Sequence, residues 1–539
     1  MKTMINSIIL ASCLALPLAS CSDSDAAPEQ KDWSTTTYFN SSDAAAQDTY
    51  YKPAVGYVGD PMPFFDPMAG DFKVLYLQDF RPNPEGTYHP IWGVSTKDAA
   101  HYTALGELVS CGTLKSQDAA IGTGSTIYDE ASKLYYTFYT GNKYKPTGDE
   151  SAQAVMVATS ADFKTWTKDR TFLIKGQDFG YDKNDFRDPF VFKGDDGKFH
   201  MLISTKKGGK GSLAEFVSDD LKNWTDNGVF MTMMWDRFYE CPDLFKMGDY
   251  WYLVYSELHH AVRRVQYFKG RTLDELKACT ANDAGIWPDA HEGFLDSRGL
   301  YAGKTASDGT NRYLWGWCPT RSGKDNTAVG ASPAEPEWAG NLVCYKLIQH
   351  EDGTLTLGQI DAVSEKYNQD VAVEVKESQN MTEADGTYTL AGSAEQPAYM
   401  LMGRLGSHNK ISFTVTTSNK WDKFGISMVR GSDSKKYYTM VVNPEDENNR
   451  KVNFEEQGVE GKGFIAGIDG YVFARPADNV YNVTIYTDNS ICVMYINDVC
   501  SYTNRIYGIQ KNCWSINSYN GANVKISNLK ISQDRKSVV

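Results

Sequence analysis

The sequence predicts an all-β chain, a five-bladed β-propeller followed by an antiparallel β-sandwich, and three observations carry that prediction. First, five similar runs recur between residues 71 and 317: D-F-K-V-L-Y-L-Q, K-L-Y-Y-T-F-Y-T, K-F-H-M-L-I-S-T, Y-W-Y-L-V-Y-S and N-R-Y-L-W-G-W. Each is rich in Tyr, Phe and aliphatic or β-branched residues and follows a short turn, as a strand should. Second, a short motif repeats, Ser-x-Asp-apolar-x-x-aromatic, with its serines read at Ser95, Ser160 and Ser218, a spacing of 65 and then 58 residues. Strand-built repeats of that size suggest propeller blades. Third, from Val371 to Ile531 apolar and polar residues alternate, as in K-I-S-F-T-V-T-T and S-I-C-V-M-Y-I-N, with turns every ten or so residues. That is the pattern of an antiparallel sandwich. The organisation read from these signals is 1–20 signal peptide, 21–50 polar tether, 51–360 propeller and 368–533 sandwich. A short helix near Asp361 to Tyr367 is expected to join the last two.

Composition narrows the function. Aromatics make up 13% of the 539 residues, with 33 Tyr and 12 Trp, whose flat faces suit sugar rings as well as strands. The formal net charge of −14 argues against nucleic acid and against acidic polymers, and favours a neutral ligand. There are ten Cys with no C-x-x-C pair, which excludes the common zinc spacings. One or two disulfides are compatible with an exported chain.

The N-terminus reads as an export signal. Lys2 is followed by an apolar run from Ile8 to Leu18, short for a membrane span. It ends in Leu18-Ala19-Ser20-Cys21, which resembles the lipobox of bacterial lipoproteins, with Cys21 as the acylated residue; an ordinary secretory peptide is the alternative. The polar S-D-S-D-A-A-P-E-Q-K after it has no core-forming residues. Its acidity resembles the surface-export signals of Gram-negative glycan-degrading gut bacteria, which implies an outer-membrane anchor facing the exterior.

The chemistry is read from acids at strand starts. A propeller gathers the innermost strand of each blade around a central funnel, where distant residues converge. Y-V-G-D-P-M-P-F-F contains Asp60, N-D-F-R-D-P-F-V-F contains Asp188 after Arg187, and F-Y-E-C-P-D-L-F contains Glu240. Each acid is followed at once or after one residue by Pro, which fixes the backbone there. Three converging carboxylates are hard to explain structurally, because like charges destabilise one another and force a pKa upward. No His cluster with ligand spacing accompanies them, so no metal and no cofactor is expected. Two carboxylates acting as acid and nucleophile on a glycosidic bond fit the pattern. Cys241 reads as packing or tuning rather than as a nucleophile.

G-D-P, R-D-P and E-C in this order resemble the three signatures of glycoside hydrolase family 32, the fructan hydrolases and invertases. The resemblance covers about residues 50 to 530 and includes Y-T-D-N-S-I-C-V-M-Y-I-N-D and W-S-I-N-S-Y. It implies Asp60 as the nucleophile on the anomeric C2 of a fructosyl unit, Glu240 as general acid and then base, and Asp188 as stabiliser of the fructose hydroxyls. Arg187 would pair with a neighbouring carboxylate. Gln78, Trp92, Ser125 and Trp317 match family positions lining the fructose pocket, and Asp296 is a weaker match; ordinary packing is the alternative for the two Trp. The sequence departs from the family where Gly59 precedes and Met62 follows the Asp60-Pro61 pair, at places the family fills with Asn. A second pair, Asp66-Pro67, sits in the following turn.

The resemblance implies a retaining β-fructosidase, similar to surface levanases and endo-acting on levan, working as a monomer on neutral fructan polysaccharides or oligosaccharides. Alternatives are an exo-acting fructanase or inulinase, a five-bladed arabinanase or xylosidase of a sister family, and a surface glycan-binding lipoprotein with decayed catalytic machinery. No G-x-S-x-G elbow is present. The G-K-T at Gly303 lacks the Gly five residues earlier, where Arg298 stands, so it is no phosphate loop.

Overall fold

The structure, a computed structural model, describes residues 49–81, 83–233, 238–257, 264–279, 292–320, 337–393, 396–430, 437–443, 451–457, 471–510, 512–519 and 521–534. Cys21, the signal and most of the tether lie outside the described residues.

The chain is all-β. Its first strands fold into antiparallel sheets in simple up-and-down order. The first sheet holds β1 (Tyr57–Asp66), β2 (Asp71–Asp79), β3 (Ile91–Thr96) and β4 (Thr103–Val109). The second holds β5 (Ala120–Asp129), β6 (Leu134–Asn142), β7 (Gln153–Ser160) and β8 (Thr167–Ile174). The third holds β9 (Phe186–Lys193), β10 (Phe199–Lys207), β11 (Lys210–Ser218) and β12 (Thr225–Thr232). The fourth holds β13 (Tyr239–Met247), β14 (Tyr250–Glu257), β15 (Arg264–Gly270) and β16 (Glu292–Phe294). The fifth set is β17 (Tyr301–Ser307), β18 (Arg312–Pro319), β19 (Gly340–Gln349) and β20 (Leu355–Gly358), and β19 also pairs with β1 at Val58↔Gly340. Four antiparallel strands per sheet is the size of a propeller blade.

The five aromatic runs read from the sequence are β2, β6, β10, β14 and β18, the second strand of each set. They are buried almost throughout, as in Tyr76, Phe138, Ile203, Val254 and Trp315. The first strands face one another: β1 lies against β5 and β17, β9 against β5 and β13, and β13 against β17.

The sequence repeat is the turn leaving the third strand. In the second sheet, Lys164 and Thr165 N–H groups both donate to Asp162 Oδ1 at 2.8 Å. In the third, Lys222 and Asn223 donate to Asp220 Oδ1 at 2.9 and 2.8 Å. In the first sheet the hydroxyl of this turn belongs to Thr96, which accepts from Ala99 N at 2.9 Å, and not to Ser95. The register of that first repeat is therefore one residue later than the sequence alone suggested. Phe163, Leu221 and Ala99, at the same turn position, all have φ near +60°.

The expected helix is present as Asp361–Lys366. Beyond it, an eight-stranded sheet is built around His408–Thr417 and Asn523–Gln533, and a seven-stranded sheet around Lys423–Arg430 and Cys513–Tyr519. One buried cluster draws on both: Ile411, Phe413 and Val483 from the first, Phe424, Ile426 and Trp514 from the second. A separate cluster joins the two halves of the chain, with Leu342, Tyr345 and Leu355 packed against Tyr486, Val493 and Tyr495. Arg505 pins the junction, donating to the carbonyls of Cys318 and Pro319 and to Asn341 Oδ1. All eight cysteines among the described residues are free thiols, six of them buried, so the disulfides considered from sequence are not formed here.

Candidate active site

Every first strand carries a register slip at the same level. The slips fall between Gly59 and Met62, between Gly122 and Gly124, opposite Leu202 and Ser204 in β9, between Glu240 and Asp243, and between Tyr301 and Lys304. A bulge leaves a residue out of the ladder and re-aims its side chain. At these bulges Asp60, Asp188, Cys241 and Ala302 have φ of +33°, +59°, +51° and +52°, a region that L residues seldom occupy. Pro61, Pro189 and Pro242 suit the slip because proline has no N–H to lose from the ladder. The Asp-Pro and Glu-Cys-Pro motifs are thus the sequence signature of the bulge.

The three acids are held by donors from other sets of strands. Asp60 Oδ2 accepts from Thr123 Oγ1 at 2.7 Å, and Asp60 Oδ1 accepts from Trp317 Nε1 at 3.0 Å. Asp188 Oδ2 accepts from Cys241 N at 2.9 Å, and the Asp188 N–H donates to Thr140 Oγ1 at 2.8 Å. Glu240 Oε1 accepts from Arg187 Nη2 at 2.9 Å, while its other oxygen accepts from the Tyr301 hydroxyl. The Tyr301 and Trp317 rings meet edge to face, 5.6 Å between centroids. The fifth set of strands therefore offers one donor to each of Asp60 and Glu240.

Burial sets the electrostatics. It pushes the Asp188 carboxyl up to about 7, opposed by Arg187 and reinforced by the negative charge of Glu240 and Asp60. Burial also raises the Cys241 thiol well above its usual value, and the three carboxylates add to that, so Cys241 is an un-ionised packing group. Burial alone would lower the Arg187 pKa, but Glu240, Asp188 and Asp185 more than offset it and keep the guanidinium charged. Arg187 also lies over the Phe238 ring, 3.9 Å from its centroid.

The other residues singled out from sequence are placed differently. Gln78 is buried and donates to Val55 O at 2.6 Å, with its Oε1 buried and without a protein partner. Trp92 is on β3, a third strand, half-buried and edge-on to Phe80. Ser125 donates to Pro189 O and accepts from Val191 N, both at 2.9 Å, so its hydroxyl braces the strand behind Asp188. Asp296 is fully buried at the junction with the second half and accepts from Ser297 N, Ser501 Oγ, Thr503 N and Thr503 Oγ1, so both its oxygens brace that junction. Asp66 caps the turn after β1 by accepting from Met68 N at 2.9 Å.

The two departures at the first motif have local reasons. A Cβ at Gly59 would sit 2.3 Å from the Trp338 ring, so Trp338 fills the space that a side chain there would need. Trp338 stacks on His89 at 4.1 Å. Met62 is buried and its sulfur accepts from Gly124 N at 3.1 Å, linking the first two sheets. Thr123, Thr140, Tyr301 and Trp338 were not singled out from sequence. The bulge level alone would have found Thr123 and Tyr301, which stand at the slips of β5 and β17.

Blade-sized antiparallel sheets thus bring three carboxylates together at the bulges of their first strands. The chain belongs to glycosyl hydrolase family 32: the family's N-terminal domain matches residues 50–360, and the C-terminal domain described as GH32, BT1760-like, matches residues 353–531. It is 26% identical over 319 residues to the β-fructofuranosidase insoluble isoenzyme CWINV2 of Arabidopsis thaliana, covering 54% of this chain and 51% of that protein. It is 24% identical over 345 residues to the sucrose-6-phosphate hydrolase of Staphylococcus xylosus, covering 61% and 65%. The match thus spans between half and two thirds of these relatives. Among solved structures, exo-inulinase from Aspergillus awamori superposes with a TM-score of 0.68 at 16% identity, covering 92% of this chain and 99% of that one. Sucrose-6-phosphate hydrolase from Lactobacillus gasseri does so with a TM-score of 0.66 at 18% identity, covering 92% and 95%. At such identities these two likenesses speak for the fold alone.

Proposed function

We propose that the protein is a retaining β-fructosidase that hydrolyses the β-fructosidic linkages of fructans, endo-acting on levan. The observation that carries the reading is the gathering of Asp60, Asp188 and Glu240 from three sheets, two of them tied by donors from a shared fourth partner, the β17–β18 pair. In this reading Asp60, oriented through both oxygens, attacks the anomeric carbon. Glu240 protonates the leaving oxygen and then takes the proton of the attacking water. Asp188 binds hydroxyls of the fructosyl ring as positive charge grows on it. Arg187 holds Glu240 in place.

The face-to-face contacts of β1, β5, β9, β13 and β17 support a closed five-bladed propeller over 51–360, and the shared core of the two later sheets supports a sandwich over 368–533. The lipobox-like segment supports a lipid anchor at Cys21 and an outer-membrane enzyme facing the exterior. The match of residues 353–531 to the GH32, BT1760-like C-terminal domain supports the fructosidase reading. An exo-acting enzyme is the competing reading, because one relative, 25% identical over 171 residues, is the fructan 6-exohydrolase of Beta vulgaris.

The test is product size from levan and inulin over time, for wild type and Glu240→Ala. Long and mixed oligosaccharides from levan, lost in the variant, support the endo reading. Free fructose alone makes the enzyme exo-acting. Retention of a polymer without cleavage makes it a binding protein.

A further inference from the structure

The G-K-T run that is no phosphate loop contains a lysine in an unusual place. Lys304 is 2% exposed, on β17 three residues after Tyr301. Its ammonium donates to Gly124 O of β5 at 2.8 Å and lies 5.2 Å from the centroid of Phe190, in β9. The fifth and second sheets are not neighbours in the ring of first strands, since β17 lies against β1 and β13 while β5 lies against β1 and β9. The side chain therefore crosses the middle of the ring. Gly124 follows Thr123, the donor to Asp60, and Phe190 stands two residues after Asp188, so the ammonium sits one step behind both acids. A Cβ at Gly124 would lie 1.8 Å from Phe138 O, so the backbone runs too close to its neighbour there for any side chain.

We propose that Lys304 is a positioning residue for the reaction, the buried positive charge against which Asp60 and Asp188 are set. The proposal rests on the fructosidase reading. A buried ammonium is costly unless it is paired, and Gly124 O is a neutral acceptor. Burial lowers the lysine's pKa overall, and the offsetting charges are carboxylates, Asp243 on β13, Asp188 on β9 and Asp60 on β1, which favour its charged form. The remaining charged groups facing these acids are Arg187 and Glu240 at the mouth and Arg312 beside Asp243. Arg187 bonds Asp185 and Glu240 and stands 4.0 Å from Asp188, on the other side of the acids from Gly124 and Phe190, the contacts of Lys304.

The experiment compares wild type, Lys304→Met and Lys304→Arg in kcat/KM against pH on whichever fructan the wild type cleaves, with Tm measured over the same pH range. Removing a nearby positive charge raises the pKa of a carboxylate that must be ionised to attack. Lys304→Met should therefore lose at least tenfold in kcat/KM, most at low pH, with the acid limb moved up by about one unit, and Lys304→Arg should restore the limb. Its Tm deficit should also widen as pH rises, because the uncompensated carboxylates resist ionisation in the fold. A loss equal at every pH, with a constant Tm deficit, makes Lys304 a space-filler and overturns the proposal. A wild type that cleaves no fructoside refutes the functional reading instead, and the Tm series then decides on Lys304 by itself.

Discussion

Two sets of left-handed residues, one in the turns after the third strands and one at the bulges of the first strands, differ in what their neighbourhood does. At the rim, the turns after β7 and β11 close around Asp162 and Asp220, whose exposed carboxylates accept from two successive backbone N–H groups. Those bonds hold both carboxyls below their usual range, Asp220 at about 2. At the centre, the bulges around Asp60 and Asp188 turn the carboxyls inward, where they accept from donors on other sets of strands. Burial there drives Asp188 the opposite way, up to about 7. A rim turn is satisfied by donors among its own consecutive residues. A central bulge is satisfied only when strands distant in sequence are in place. Strain costs of order 1–3 kcal/mol per residue persist only where the surroundings over-determine them, and here that role falls to neighbouring sheets.

The largest expected effect follows from removing a central acid. Glu240→Gln or Asp60→Asn should lower kcat on a fructan by on the order of 10²–10⁴-fold while Tm stays near the wild type; retained activity in either variant would break the central half of the contrast. Next is Tyr301→Phe, which keeps the ring against Trp317 but removes the donor to Glu240. A hydrogen bond to a charged group is worth about 1.5–3 kcal/mol, so kcat should fall ~10- to 100-fold with little change in KM. Asp188→Asn tests the electrostatics. Because the folded pKa of Asp188 lies above its unfolded value, its contribution is favourable below about pH 4 and is lost as pH rises through about 7. The variant, which cannot ionise, should gain Tm relative to wild type across that window, and a parallel pair of Tm curves would sink the argument.

The smallest effect belongs to the rim. Asp220 is depressed, so its stabilisation is present above about pH 4 and fades as pH falls towards 2. Asp220→Ala should cost at most ~1 kcal/mol at neutral pH, with the difference vanishing in acid and kcat unchanged.

The rim was more legible in the sequence than the centre. A turn built from its own consecutive residues repeats as a string, so Ser160, Asp162 and Trp166 align with Ser218, Asp220 and Trp224. Only in the first sheet did the string mislead by one residue, because Thr96 does the work of a serine there. The acids were legible too, since a bulge favours proline beside it. Of their partners, Arg187 and Trp317 were legible as well. Thr123, Tyr301 and Lys304 were not, because what makes them matter is which first strand lies against which.

One contact at the start of the described chain has a mechanical consequence. The N–H groups of Thr49 and Tyr50 both donate to Asp488 Oδ2, a buried carboxylate of the second half that also faces His408. Asn341 donates to Tyr50 O, and Leu342 N–H to Tyr51 O, both from the first half. Residues 49–51 are thus riveted to both halves at once. A pull on the preceding segment would load that rivet in shear across the seam, and the first strand β1, with Asp60 on it, would bear no tension until the rivet failed.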